Sequence, residues 1–115
     1  MTLRSAATKG GSPLTAAPAC WFTYILECAD GSYYVGITDN LQRRVSTHNR
    51  GEGASWTARR RPVYLRYAEA HPDKSSARVR EIELKGWRRE KKQNLFVSQQ
   101  NVVINSVRQV SNRVH

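Results

Sequence analysis

The sequence predicts a small α+β domain, on three observations. Two apolar, aromatic-rich runs flank a short glycine turn, a helical stripe follows, and an alternating segment then leads into a second helical stripe. At 115 residues there is room for one such domain and little else.

Residues 1–19, built from Ala, Gly, Ser, Thr and Pro around Gly10-Gly11-Ser12-Pro13, read as a flexible arm. Trp21-Phe22-Thr23-Tyr24-Ile25-Leu26-Glu27-Cys28 suits a buried strand. Ala29-Asp30-Gly31 is a turn and residues 32–37 a second strand, so the two form a hairpin. With Gly31 in the left-handed position of a G1 bulge, Leu26 faces Tyr34 and Tyr24 faces Gly36. Both tyrosines then share one sheet face, whereas a two-residue loop would separate them.

Asp39 or Asn40 caps a helix beginning at Leu41 and ending near Asn49, before Gly51. A loop over 50–62 precedes a third strand over 63–69, with Val63, Leu65 and Tyr67 on one face. Pro72-Asp73 starts a second helix that runs through Ala77, Glu81 and Leu84 towards Lys92. The domain is expected over 20–96. The segment 97–115, rich in Asn, Gln, Ser and Val, is a tail with no assigned role.

Charge narrows the function. Nineteen Lys+Arg against nine Asp+Glu give a net charge of +10, which favours a polyanionic partner such as nucleic acid over a merely solubilising surface. No uncharged apolar run approaches a membrane span, and residues 1–19 lack the apolar core of a secretory leader. Cys20 and Cys28 have no His or Cys partners at zinc-site spacing and read as free thiols in a reducing cytoplasm.

Helical geometry singles out further residues. At about 100° per residue, Leu41, Arg44, Val45 and His48 share a stripe, with Arg43 on the opposite side. Arg44 is thus carried towards the core, where a guanidinium needs an anion: a bound phosphate or an internal carboxylate. Ala77, Glu81 and Leu84 form the second stripe, and Glu83 points away. The Glu81 carboxylate is left either to hold a metal or to pair with Arg44. In the loop, Arg50, Arg59, Arg60 and Arg61 suit phosphates. Trp56 either stacks on an exposed base or tucks into the core.

Together these residues resemble the GIY-YIG nuclease domain, and within it the small stand-alone bacterial members. Phe22-Thr23-Tyr24 keeps the tyrosine of the first motif, and Tyr34-Val35-Gly36 is a common form of the second. Gly36-Ile37-Thr38-Asp39-Asn40-Leu41, Arg43-Arg44-Val45, His48-Asn49, Arg61-Pro62-Val63 and Ser76-Ala77 through Arg80-Glu81 to Lys85 continue the match. It covers roughly 21–96. Phe-Thr in place of Gly-Ile, and Gly86-Trp87 late in the second helix, depart from the pattern.

The resemblance implies a three-stranded antiparallel sheet flanked by helices, and metal-dependent cleavage of DNA or RNA, DNA being the expected substrate. By position, Glu81 would bind one Mg²⁺ or Mn²⁺, and Tyr24 would help deprotonate the attacking water. Tyr34 would position that water or the phosphate, Arg44 would steady phosphate charge, and His48 would assist binding or proton transfer. Arg43, Arg50, Trp56, Arg59, Arg60, Arg61 and Lys85 are the expected nucleic-acid contacts. A tyrosine of ordinary pKa, near 10, is a poor base at neutral pH, so Tyr24 needs positive charge nearby. The rival expectation is a nucleic-acid-binding module with little turnover, acting as a subunit in DNA repair or processing.

Overall fold

The computed structural model describes residues 20–103; the arm over 1–19 and the tail from 104 onward lie outside the described residues. Strands β1 (Trp21–Cys28) and β2 (Tyr33–Thr38) form the expected hairpin. Gly31 turns the chain at φ 86°, a conformation open to glycine at little steric cost. The register pairs Tyr24 with Gly36 and Leu26 with Tyr34, as the three-residue loop requires. Strand β3 (Val63–His71) pairs antiparallel with the other edge of β1, giving the order β2-β1-β3.

The third strand departs from simple alternation. Ile25 pairs with Tyr67 but Leu26 pairs with Leu65, so β3 carries one extra residue at Arg66. A bulge of this kind reverses the facing of everything beyond it. Val63 and Leu65 therefore pack with Tyr24 and Leu26, while Tyr67 packs with Ile25 on the opposite face. The single face expected for Val63, Leu65 and Tyr67 is corrected accordingly.

Helix α1 (Leu41–Asn49) is capped by Asn40, whose side chain accepts from the Arg43 N–H. It covers the Tyr24 face through Leu41 and Val45. A short helix, α2 (Ser55–Ala58), lies inside the expected loop. The opposite face, with Ile25, Val35 and Tyr67, is covered by α3 (Lys74–Lys85) and α4 (Arg89–Phe96) through Leu84, Leu95 and Phe96. The second helix thus stops at Lys85 instead of running towards Lys92. Gly86 ends it, its N–H donating to the Glu83 carbonyl and the next N–H, of Trp87, to that of Leu84, and Trp87 folds in against the core. The break turns α4 back onto the sheet, where Leu95 and Phe96 close the same core as Leu84.

The packed unit also extends past the boundary read at residue 96. Asn101 is fully buried, and its amide donates to the Arg66 and Phe96 carbonyls at 2.9 Å while accepting from the Ala68 and Val103 N–H groups. Val102 and Val103 then rest against the Tyr24 side of the core. No helix among the described residues is long and apolar enough to cross a membrane.

Candidate active site

The β1–β2 register and the inward stripe of α1 bring four of the expected residues together. Tyr24 and His48 are almost wholly buried, and the Tyr24 hydroxyl lies 3.0 Å from His48 Nε2. Arg44 Nε donates to the same hydroxyl at 3.4 Å. Tyr34 stands edge-on to His48, with ring centroids 5.2 Å apart, and 6.5 Å from the Tyr24 ring.

The surrounding bonds determine where the protons sit. Thr57 Oγ1 donates to the Ala54 carbonyl at 3.0 Å, so the hydroxyl proton is spent there. Its oxygen must then accept from His48 Nδ1, 2.7 Å away. The imidazole consequently carries its proton on Nδ1, and Nε2 is left with a lone pair aimed at Tyr24. Tyr24 in turn donates to His48 and accepts from Arg44. A directed chain thus runs from the arginine through the phenol and imidazole to the threonine.

Burial holds both central groups in their neutral forms. It pushes the Tyr24 phenol up to about 12, outweighing the lowering by the Arg44 hydrogen bond and charge. His48 is depressed to about 4, first by burial and then by the charge of Arg44. Positive charge does stand beside Tyr24, as its expected role demands. In the free protein it does not suffice to ionise the phenol.

Glycines shape this pocket closely. A Cβ on Gly36 would lie 2.5 Å from the Tyr24 hydroxyl, and one on Gly53 2.4 Å from His48 Nδ1. Gly36 is directly opposite Tyr24, so the missing side chain makes the space across which the phenol lies. Thr57 and Gly53 were not singled out in the sequence. Both belong to a loop without periodicity, and only its folding against α1 gives them roles.

Glu81 arrives from the other side. Helix α3 packs on the sheet face opposite Tyr24, with Thr23 Oγ1 bonded to the Ala77 carbonyl at 2.9 Å. The Glu81 side chain is only 12% exposed, and its charge is near enough to raise the Tyr24 pKa. It pairs with Lys85 Nζ at 3.0 Å and stands 4.0 Å from Arg78 Nε. Among the described residues Arg44 makes no ion pair with it, so that alternative for the two inward charges is not the one adopted. No group of three or more His, Cys, Asp or Glu gathers among the described residues. One carboxylate suits a hard ion that keeps its waters and borrows substrate oxygens, and does not suit a closed metal centre.

The remaining expected contacts lie around the loop. Trp56 is 46% exposed, which rules out the tucked-in reading, and the Arg60 guanidinium stacks 3.4 Å from its ring centroid. Arg60 is itself held by Asp30 at 3.1 Å and by the Trp56 carbonyl. Arg61 donates to the Ala58 carbonyl, Arg50 pairs with Glu52, and Arg43 pairs with Asp39 across α1's outer side. Arg59 is exposed, without an ion pair among the described residues.

A hairpin that buries a tyrosine against an Arg–His helix, with a helix carrying the inward Glu81 on the reverse face, is the arrangement of an α+β domain of nuclease type. Residues 20–94 match the family described as the GIY-YIG catalytic domain, and the chain belongs to that family. A UPF0213 protein of Bacillus pumilus is 44% identical over 81 residues, covering 70% of this chain and 82% of its own. A UPF0213 protein of Staphylococcus aureus is 49% identical over 75 residues, covering 65% and 92%. The solution NMR structure of the UPF0213 protein from Bacillus halodurans is 40% identical. It covers 70% of this chain and 86% of that one with a TM-score of 0.45.

Proposed function

We propose that the chain hydrolyses phosphodiester bonds in nucleic acid, DNA above all, as a metal-dependent endonuclease. The observation that carries the reading is the directed hydrogen-bond chain Arg44–Tyr24–His48–Thr57. It gives a buried phenol both an acceptor for its own proton and a free lone pair for another.

In this reading Tyr24 is a bifunctional relay. The attacking water gives a proton to the Tyr24 oxygen as the Tyr24 proton passes to His48 Nε2. The hydroxide oxygen forms the new P–O bond, the bond to the leaving alkoxide breaks, and solvent protonates the alkoxide. The resulting imidazolium is stabilised through Nδ1–H by Thr57. Arg44 supplies fixed positive charge where the phosphate gains negative charge. Glu81 would hold one Mg²⁺ or Mn²⁺, which supplies charge stabilisation at the phosphoryl and leaving oxygens when bound. The separation between a phenol at about 12 and an imidazole at about 4 keeps the relay at rest in the free protein. Anionic phosphate beside His48 raises one value, and cationic charge beside Tyr24 lowers the other.

Incubation with single-stranded, duplex and branched oligonucleotides in Mg²⁺, Mn²⁺ or EDTA tests the proposal. Glu81→Gln is expected to abolish cleavage at ordinary Mg²⁺ concentrations and to leave nucleic-acid binding largely intact. Wild-type activity in EDTA, or a well-folded Glu81→Gln protein cutting at the wild-type rate, would overturn it.

A further inference from the structure

Beside the proton relay lies a cleft of about 320 Å³, lined by Tyr33, Tyr34, Val35, Trp56, Lys85 and Lys92. It adjoins the candidate centre on two sides, because Tyr34 touches His48 and Lys85 bonds to Glu81. We propose that this cleft receives one unpaired nucleobase next to the scissile phosphate, so that the substrate strand is open at the cut. The inference rests on the nuclease reading and specifies its substrate.

Three features support that occupant. The cleft is at the small end of ligand-site volumes, roughly 300–1,000 Å³, and its walls are aromatic. A flat base gains most from such walls, since stacking on an aromatic side chain requires no particular sequence. The aromatic groups are also fixed before any ligand arrives. Arg60 clamps the exposed indole of Trp56, and Arg60 itself borders a separate cleft with Ser55 and Arg59. Tyr33 is held by Gln93 at 3.0 Å on its hydroxyl and by the Arg89 guanidinium 4.1 Å from its ring. Little ordering entropy then opposes stacking.

Charge supplies the third feature. Lys92 has no ion-pair partner among the described residues, and Lys85 is shared only with Glu81. Burial first, and then the charge of Arg89, lowers the Lys92 pKa. Two lysines at the rim of an aromatic slot match a base whose flanking phosphates remain outside. Within an intact duplex a base is committed to its stack and cannot enter, so the cleft selects unpaired or flipped-out nucleotides.

The test is equilibrium binding of the full chain, in EDTA, to a short labelled single-stranded oligonucleotide. An abasic residue is moved through it one position at a time. An abasic residue at one position, or at two adjacent ones, is expected to weaken binding roughly tenfold. Trp56→Ala should bind the intact oligonucleotide about tenfold more weakly and lose the position dependence, while Trp56→Phe restores it. Lys92→Ala should weaken binding and reduce the salt slope by about one, an independent reading should Trp56→Ala fold poorly. Uniform affinity for every abasic position overturns the proposal, as does a positional loss unchanged in Trp56→Ala. Equal competition by poly-glutamate does so too, because an acidic protein segment would then be the better occupant. Absence of Mg²⁺-dependent cleavage alongside an intact positional pattern would sink only the nuclease reading.

Discussion

Replacing Thr57 by valine isolates the tautomer control from everything else in the site. Valine keeps the shape but removes the hydroxyl that accepts from His48 Nδ1 at 2.7 Å and donates to the Ala54 carbonyl at 3.0 Å. Thr57 is fully buried, so no bulk water replaces the lost partner. An unpaired buried polar group costs about 1–3 kcal/mol. For a domain of this size, each kcal/mol corresponds to a melting shift of about 4–8 °C. The larger effect falls on the proton path. Once Nδ1 lacks an acceptor, the imidazole is free to carry its proton on Nε2 and donate to Tyr24. The Tyr24 proton then has no acceptor. Loss of a positioned general base typically costs about 10²–10⁴ in rate. The assay is single-turnover cleavage of an oligonucleotide in saturating Mg²⁺, at a temperature well below both melting points. Thr57→Ser, which restores the hydroxyl, should recover most of the rate. If Thr57→Val melts lower but cleaves at the wild-type rate, Thr57 is merely a packing residue and the relay is wrong.

Other outcomes are open to direct measurement. His48 is held at about 4 when folded, against an ordinary 6.5, so between those values the unfolded chain binds a proton that the folded chain refuses. Stability is complete above pH 6.5 and falls as pH drops towards 4, by up to about 3 kcal/mol, readable in urea titrations across that range. Tyr24 acts at the other end: its folded value of about 12 against 10.0 means stability lost as pH rises through that interval. Gly53→Ala would put a Cβ 2.4 Å from His48 Nδ1, and Gly36→Ala one 2.5 Å from the Tyr24 hydroxyl. Each should cut the cleavage rate at least about tenfold, and unchanged kinetics would mean the ring positions are immaterial. Nucleic-acid affinity should drop by orders of magnitude between about 50 and 200 mM salt. Arg59→Ala should flatten that slope by about one without moving the melting temperature, since Arg59 is exposed and makes no ion pair among the described residues. An unaltered slope would shift the phosphate track elsewhere.

Much of this arrangement is legible in the sequence where local rules dominate. Gly31 specifies the loop, the loop specifies the register, and the register puts Tyr24 and Tyr34 on one face. The inward turn of Arg44, His48 and Glu81 follows from the apolar residues that share their stripes. What stays hidden depends on contacts distant along the chain. Val63, Leu65 and Tyr67 alternate perfectly as letters, and only pairing with β1 reveals the extra residue at Arg66. Gly86 lies in a run that otherwise suits helix, and the need to return Leu95 and Phe96 to the sheet decides that the helix breaks there. Thr57 is one polar residue in a polar loop. Its value arises entirely from a histidine nine positions earlier. Asn101 is equally mute until the strand it serves is in place.

That asparagine has a consequence for how the protein behaves in company. Strand β3 is an outer strand of the sheet, and an outer strand offers unpaired amides and carbonyls to any other chain that can lie alongside. The Asn101 amide occupies the Ala68 N–H and the Arg66 carbonyl, satisfying both with a side chain that cannot be extended into a further strand. It acts as a stopper, ending the ladder where sheet addition would otherwise begin. A residue just beyond the family match thus guards a basic protein against a hazard unrelated to its substrate. Asn101→Ala should reveal this as concentration-dependent association in sedimentation or light scattering.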